Sequence, residues 1–240
     1  EKKTEKPKKA PKPKAPVELK DYGFVAVCMG KGITNILKDL GVDRVIEGGQ
    51  TMNPSTDDIL KAVKRVMAKT VYVFPNNKNI IMAANQAAEL VEDKKIVVIP
   101  SKSVPQCISA MVEFNDKKSA EANEKAMNKA IGRVTSGQLT YAVRDTEIDG
   151  IEIKKDDILG MVEGKIVTVG KDIDDVLNRV VSQMVDEDTE FLNVYYGKEI
   201  KKPQADVMLK ALETKYADDE IEVSFKKGGQ PLYYYIISAE

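Results

Sequence analysis

The residues best suited to chemistry lie in four turns, each of which follows a short apolar run. Side-chain amides in these turns offer neutral donors and acceptors, lysines offer positive charge, and adjacent glycines allow close backbone approach. This combination suits a phosphate, a carboxylate or the polar loop of a partner. The turns read Cys28-Met29-Gly30-Lys31-Gly32, Gly48-Gly49-Gln50-Thr51-Met52-Asn53-Pro54-Ser55, Pro75-Asn76-Asn77-Lys78-Asn79 and Pro100-Ser101-Lys102-Ser103-Val104-Pro105-Gln106.

The candidate ligand- or partner-binding residues come from these turns and from a Gly-Gly-Gln-Pro segment near the carboxyl terminus, which repeats the Gly-Gly-Gln of the second turn. They are Gly48, Gly49, Gln50, Thr51, Asn53, Ser55, Asn76, Asn77, Lys78, Ser101, Lys102, Gly229 and Gln230. Each of the four turns leads into a helix amino terminus, where free N–H groups favour anions. Taken singly, each turn also fits an ordinary structural role, because Asn and Pro commonly form turns.

Several catalytic mechanisms are excluded by residues that the sequence lacks. The chain contains no histidine, which excludes Ser-His-Asp and Cys-His nucleophile systems and zinc sites that need imidazole. It has no Gly-x-x-x-x-Gly-Lys-Ser/Thr motif and no cluster of aspartates placed to hold magnesium. We therefore expect no catalytic residue, no metal and no cofactor in this chain.

The cysteines and the hydropathy predict the setting of the protein. Cys28 and Cys107 both lie in apolar-flanked segments, and two cysteines in 240 residues do not make a disulfide framework. No run of eighteen apolar residues is present, and the amino terminus lacks the apolar core of a secretory signal. We expect buried free thiols and a soluble, cytoplasmic protein with no transmembrane segment.

The elements that position the turns are predicted to alternate between strands and helices. Short apolar runs at 23–28, 44–47, 70–74 and 95–99 are typical of strands buried on both faces of a parallel sheet. Helical spacing of apolar residues between these runs predicts crossover helices. Because the carboxyl ends of parallel strands meet at one edge, we expect the four turns to converge there, and we call them together the strand-end rim.

Composition divides the chain into four parts. Residues 1–20 are a Lys/Pro/Ala-rich linker, residues 21–115 a first α/β lobe, residues 116–136 a connecting helix, and residues 137–240 a second α/β lobe. The first lobe is predicted to hold a mostly parallel sheet flanked by helices, and the second is predicted to be mixed. Turn glycines after residues 148 and 162 predict hairpins in the second lobe. Strands are predicted at 191–195, 221–225 and 233–238, and helices around 173–184 and 204–216.

The linker carries eight lysines against three glutamates, a charge that nucleic acid or an anionic membrane could attract. Its prolines alternate with Lys and Ala, and neither arginine nor an aromatic residue is interleaved. A solvated interdomain linker is the favoured interpretation, with no nucleic-acid partner. Because Glu1 stands where a whole protein would start with Met, we expect further domains upstream.

A run of tyrosines near the carboxyl terminus has two interpretations. Tyr233, Tyr234 and Tyr235 follow the Gly-Gly-Gln-Pro segment, and Tyr195 and Tyr196 form a second pair. Tyrosine is favoured at protein interfaces, so these rings could form an exposed aromatic edge. They could equally fill the core of the second lobe.

Four longer motifs carry a family resemblance. They span 45–56 (VIEGGQTMNPST), 75–81 (PNNKNII), 141–145 (YAVRD) and 228–231 (GGQP). Together they resemble the carboxy-terminal region of the A component of bacterial fatty acid kinase, a dihydroxyacetone-kinase-like family, from about Tyr22 to Glu240. The turn at 51–55 is also weakly similar to one in DegV-like proteins. The resemblance implies a two-lobed DegV-like architecture, with any ligand between the lobes.

The resemblance implies a function that the residue chemistry alone does not. In that family an amino-terminal domain binds ATP and magnesium, and the carboxy-terminal region engages a fatty-acid-binding partner of the DegV type, whose acyl carboxylate is phosphorylated. We therefore expect a module that is not catalytic alone, with that protein and upstream kinase domains as partners. A homodimer stays open. The alternatives are a DegV-like domain that itself binds a fatty acid or phosphorylated small molecule, a phosphate-binding loop for a neighbouring active site, and a structural spacer.

Overall fold

The first sheet has four strands, and all of them are parallel. The computed structural model describes residues 19–49, 53–148 and 150–240. The strands are β1 (Lys20–Cys28), β2 (Arg44–Glu47), β3 (Ala68–Phe74) and β4 (Lys95–Val98), in the spatial order β2-β1-β3-β4. Both faces are covered, which explains why each strand is a nearly continuous apolar run. The predicted parallel sheet is confirmed.

Helices cover the two faces of this sheet in pairs. They are α1 (Lys31–Asp39), α2 (Thr56–Lys64), α3 (Lys78–Glu89) and α4 (Val104–Glu113). One face packs against α1 and α4, through residues such as Ile33 and Cys107. The other face packs against α2 and α3, through residues such as Ile59 and Ile80. A helix is expected after the fourth turn, but the apolar spacing does not reveal α4, because this helix is buried almost all round and lacks a polar face.

A fifth helix, α5 (Ala120–Ile131), leads to the second lobe. It is shorter than the connecting helix predicted over 116–136. Ser119 caps it by accepting a hydrogen bond from the backbone N–H of Ala122, and a strand already begins at Thr135. The division into a linker, two lobes and a connecting segment stays a prediction, and residues 1–18 lie outside the described residues.

The second sheet is mixed and has six strands. They are β5 (Thr135–Tyr141), β8 (Ile158–Val162), β9 (Lys165–Gly170), β10 (Phe191–Tyr196), β11 (Glu222–Lys227) and β12 (Tyr235–Ala239). Their order is β11-β10-β12-β5-β8-β9, and β10–β11 is the parallel pair. Two helices, α6 (Ile173–Met184) and α7 (Lys202–Lys215), pack on one face.

Two hairpins form at the predicted turn glycines. One joins β8 to β9 through Gly164, and the other joins the short strands β6 (Thr146–Ile148) and β7 (Ile151–Ile153), with Asp149 outside the described residues. The two-lobed mixed α/β architecture is thus the predicted fold class. Among the described residues, no helix combines the length and apolar character needed to cross a membrane.

The two lobes share a core. Tyr195 and Ile236 of the second sheet are buried together with α1 and α4 of the first lobe. Tyr235 is fully buried in the second lobe's own core, and Tyr196 is also buried there. Of the two interpretations of the tyrosines, burial in the interior and between the lobes is therefore the one that the structure supports.

Candidate functional site

The described parts of the strand-end rim meet at one edge of the first sheet, and that edge faces the second lobe. Cys28, Gly48, Asn76 and Ser103 approach Gln230 and its neighbours around a cavity of about 60 Å³. We call this contact between the lobes the seam. The convergence predicted from the parallel strands is present, but much of the rim is covered by the chain's own second lobe.

The first turn of the rim is filled by backbone from the second lobe. A Cβ added to Gly32 would lie 1.8 Å from the carbonyl oxygen of Lys227, and one added to Gly30 would lie 2.6 Å from the backbone nitrogen of Gln230. The N–H of Ile33, in the first turn of α1, donates to the carbonyl oxygen of Gly228 at 3.1 Å. A turn of the second lobe therefore occupies the amino terminus of α1, where the sequence favours a bound anion.

Asn76 connects the carboxyl ends of β1, β3 and β4 by hydrogen bonds. Its side-chain Nδ2 donates to the carbonyl oxygen of Val27 at 2.9 Å, and its Oδ1 accepts from the Ser101 hydroxyl at 2.7 Å. The backbone N–H of Asn76 donates to the same hydroxyl at 3.2 Å. Asn76 has a φ of 56°, and Ser101 is completely buried. Both residues therefore stabilise the rim through hydrogen bonds to other residues of the first lobe.

Three residues of the rim cap helices, and two of these, Asn77 and Ser103, lie at the seam. Asn77 is the N-cap of α3, and its side-chain oxygen accepts a hydrogen bond from the backbone N–H of Asn79 at 2.9 Å. Ser103 is the N-cap of α4, and its hydroxyl forms a 2.7 Å hydrogen bond with the hydroxyl of Ser136 in β5. Ser103 therefore links the lobes, and its position before a Val-Pro pair is the sequence signal that predicts an N-cap.

The accessible part of the rim borders a second, more polar groove beside the seam. Its volume is about 220 Å³, and the side chains of Lys78 and Lys102 are exposed along it. We call it the lysine groove. The first lobe lines it with Asn77, Lys78, Lys102, Ser103 and Gln106, and the second lobe with Ser136, Gln138 and Glu163 among others.

Four other predicted site residues do not line the lysine groove; they are Asn53, Ser55, Gly49 and Gly229. Asn53 borders a separate groove between β2 and α2. Ser55 caps α2 in a capping box with Asp58, and the hydrogen bonds from Ser55 hold the pKa of the Asp58 carboxyl below its usual value. Gly49 lies at the seam, and Gly229 lies in the turn that fills α1's amino terminus, with a φ of 67°. Gln50 and Thr51 lie outside the described residues.

Sequence reasoning left out several residues of this site. Gln106, Ser136, Gln138 and Glu163 line the lysine groove, and three of them lie on β5 or on the turn between β8 and β9. No local motif marks Ser136, Gln138 and Glu163, because they come near the rim through the packing of one lobe on the other, whereas Gln106 ends the fourth turn but is not among the candidate residues. Among the described residues, no three His, Cys, Asp or Glu side chains are grouped so as to hold a metal ion.

The two cysteines are expected to be unreactive in the folded protein. Both are free and buried, and burial raises the pKa of the Cys28 and Cys107 thiols because it disfavours the thiolate. With a chromogenic disulfide reagent at pH 8, we expect no thiol to react in the native protein and both to react in denaturant. Rapid labelling of either cysteine without denaturant would contradict the closed seam, because Cys28 lines its cavity.

The family of the chain follows from its sequence. Residues 23–240 match the family model described as FakA-like, C-terminal, which represents the carboxy-terminal region of fatty acid kinase A-like proteins. The chain belongs to this family. It is 49% identical over 225 residues to protein YloV of Bacillus subtilis, and the match covers 94% of this chain and 40% of YloV. The chain therefore spans about two fifths of the length of that relative.

Solved structures of DegV proteins share the fold. DegV, a fatty acid binding protein from Bacillus subtilis, superposes with a TM-score of 0.63 at 13% identity, over 92% of this chain and 99% of that one. The linoleic-acid-loaded fatty acid kinase B3 protein of Streptococcus pneumoniae superposes with a TM-score of 0.55 at 10% identity, over 92% and 99% of the two chains. The family and the fold make this chain a fatty acid kinase-related module of DegV-like architecture.

Proposed function

We propose that this chain is the non-catalytic recognition module of a fatty acid kinase. It docks a DegV-type fatty-acid-binding protein, so that the acyl carboxylate held by that protein receives a phosphoryl group. ATP and magnesium bind to another domain of the same polypeptide. The proposal is supported by the family and by the share of YloV that lies outside the matched region.

The observation that carries the proposal is the closed seam. DegV and the kinase B3 protein share this fold and are described as binding or holding a fatty acid. Sites for small molecules generally have volumes of about 300–1,000 Å³. The cavity at the seam of this chain measures about 60 Å³, which is too small for an acyl chain. Among the described residues, the seam of this carrier fold has no room for an acyl chain, which supports a protein-recognition role over a second lipid carrier.

The lysine groove is the part of the rim that a partner can reach. Lys78 and Lys102 are exposed on the carboxyl-end side of the parallel sheet, next to the neutral polar groups of Asn77 and Gln106. Exposed charges at an interface accelerate association and select partners of opposite charge. We therefore place the docking surface around this groove and expect acidic side chains on the partner.

Reversing the charge of this surface is expected to weaken docking. The double variant Lys78→Glu/Lys102→Glu should lower the affinity for the DegV-type protein by about tenfold or more, because attraction becomes repulsion across the interface. Titration calorimetry at low and high salt measures the affinity, and the difference from the natural chain should shrink as salt screens the charges. Both side chains are exposed, so the melting temperature should hardly change.

The matched control is Lys210→Glu, at an exposed position of α7 in the second lobe. It makes the same chemical change away from the lysine groove and should leave the affinity within about twofold, as expected for a surface charge outside an interface. Equal losses for Lys210→Glu and the groove variants would show a non-specific charge effect. An unchanged affinity in the double variant would remove the groove from the docking surface.

A further inference from the structure

The first-lobe wall of the lysine groove concentrates positive charge and hydrogen-bond donors. Helix α3 begins at Lys78 and α4 begins just after Lys102, so two helix amino termini open toward this region. Within the described residues, neither lysine has a carboxylate within 4 Å. These features favour an anion, although helix termini and surface lysines are common and do not define a site by themselves.

Gln106 supplies the more specific observation. Its side chain lines the groove, although the residue as a whole is only 7% exposed. Its Oε1 accepts a hydrogen bond from the backbone N–H of Lys102 at 2.7 Å. Since only the oxygen of the amide can accept, this bond fixes the orientation of the planar group. The Nε2 has no hydrogen-bond partner among the described residues, so this donor is free for a ligand in the groove.

The opposite wall contributes one negative charge that is already engaged. An oxygen of the Glu163 carboxylate accepts from the backbone N–H of Ser136 at 2.6 Å, and the N–H of Glu163 donates to the carbonyl oxygen of Ser136 at 2.9 Å. The Ser136 hydroxyl is itself bonded to Ser103. Glu163 is therefore held against its own lobe, and the cations of the opposite wall outnumber it.

We propose that the lysine groove binds a phosphate-class anion, with Lys78, Lys102 and the Nε2 of Gln106 as its ligands. A phosphoryl group carries a charge of about −1.5 to −2 and three acceptor oxygens, which matches two ammonium groups and an amide donor. A carboxylate offers one charge and two oxygens and matches them less well. The inference rests on the proposed function in one respect: within a fatty acid kinase, this anion is the phosphoryl group of the acyl phosphate.

Inorganic phosphate is the probe that tests the site in the isolated chain. Titration at constant ionic strength, with chloride as the replaced anion, should give saturable NMR shifts of the Gln106 side-chain amide and the Lys78 backbone amide. A dissociation constant on the order of 1 mM is expected for such a small ligand. Non-saturating shifts, or shifts that chloride reproduces equally, would overturn the proposal.

The decisive variant is Gln106→Glu. It is isosteric and keeps an oxygen to accept from the Lys102 N–H, but it places a carboxylate oxygen where the free amide donor stood. Phosphate affinity should fall at least tenfold, while Lys210→Gln leaves it unchanged. A second variant, Lys78→Gln, keeps the test valid if Gln106→Glu does not fold, and it should weaken binding severalfold. Full phosphate affinity in the folded Gln106→Glu protein would refute the assignment.

The phosphate site and the docking function can fail separately. Phosphate titration needs no partner, and docking can be measured in a buffer that contains no phosphate. Saturable phosphate binding that depends on Gln106 supports the site even when the DegV-type protein does not bind. Normal docking without phosphate binding refutes the site and leaves the proposed function standing.

Discussion

Replacing Gly32 with alanine is expected to lower the free energy of unfolding by about 3 kcal/mol, as for a severe over-packing change. The added Cβ would lie 1.8 Å from the carbonyl oxygen of Lys227 and 2.8 Å from that of Gly228. Both obstacles are backbone atoms, which cannot rotate away as a side chain can. Relief requires the lobes to separate, and separation breaks the hydrogen bond from Ile33 to Gly228.

Urea unfolding measures the loss, and hydrogen exchange at the Ile33 amide reports whether the seam opens. The matched control is Gly132→Ala, at the end of α5, where an added Cβ would meet its nearest atom at 3.4 Å and φ is −75°. The control should be neutral within about 0.5 kcal/mol, as is usual away from special features. If Gly32→Ala were as stable as the natural chain, the lobes would not be packed as described.

Asn76→Ala is expected to cost about 3 kcal/mol, because two effects add. The substitution leaves the carbonyl oxygen of Val27 and the hydroxyl of Ser101 without their side-chain partner, at a cost of about 1–3 kcal/mol. It also places a residue with a Cβ, and without the local bonds of asparagine, at a φ of 56°, which costs about 1–2 kcal/mol. The measurement is again the free energy of unfolding.

Asn76→Gly separates the two effects. Glycine loses the same hydrogen bonds but tolerates the left-handed conformation, so it should be more stable than alanine here by about 1 kcal/mol. Asn79→Ala, at an exposed neighbouring position, serves as the control and should have little effect. If alanine were as stable as glycine at position 76, the account of this turn would be wrong.

The sequence predicted the first lobe well because local patterns encode it. The apolar runs at 23–28 and 70–74 are long enough to identify buried strands, and parallel pairing then places the turns at one edge. The apolar pattern missed α4, since a helix buried on nearly all sides, with residues such as Cys107 and Ala110, has no polar face to reveal its period.

The site was less predictable because it depends on contacts between distant segments. The turn at 28–32 looks like a weak phosphate loop, but backbone about two hundred residues later occupies it, as shown by the bond from Ile33 to Gly228. Asn76 looks like a surface ligand, but its side chain bonds inward to Val27 and Ser101. Lys78 and Lys102 remain accessible, and both line the lysine groove.

The roles of the individual site residues stay predictions. The fold and the family do not assign a partner contact to any of them; the upstream kinase domains with ATP and magnesium stay predictions too, and a homodimer stays open. In the structure, the candidates fall into a buried or half-buried group and an exposed group. Gly48, Asn76 and Gln230 line the cavity at the seam and Ser101 is buried beside Asn76, whereas Lys78 and Lys102 are exposed along the lysine groove.

The most direct test of the account compares two kinds of binding by the same purified chain. Native mass spectrometry should find no fatty acid on it, and titration calorimetry should detect saturable binding to a fatty-acid-loaded DegV-type protein from the same cell. This pair of results is what a docking module with a closed seam predicts. Bound fatty acid on the chain itself, together with no heat of binding to the loaded protein, would contradict the account and identify a lipid carrier.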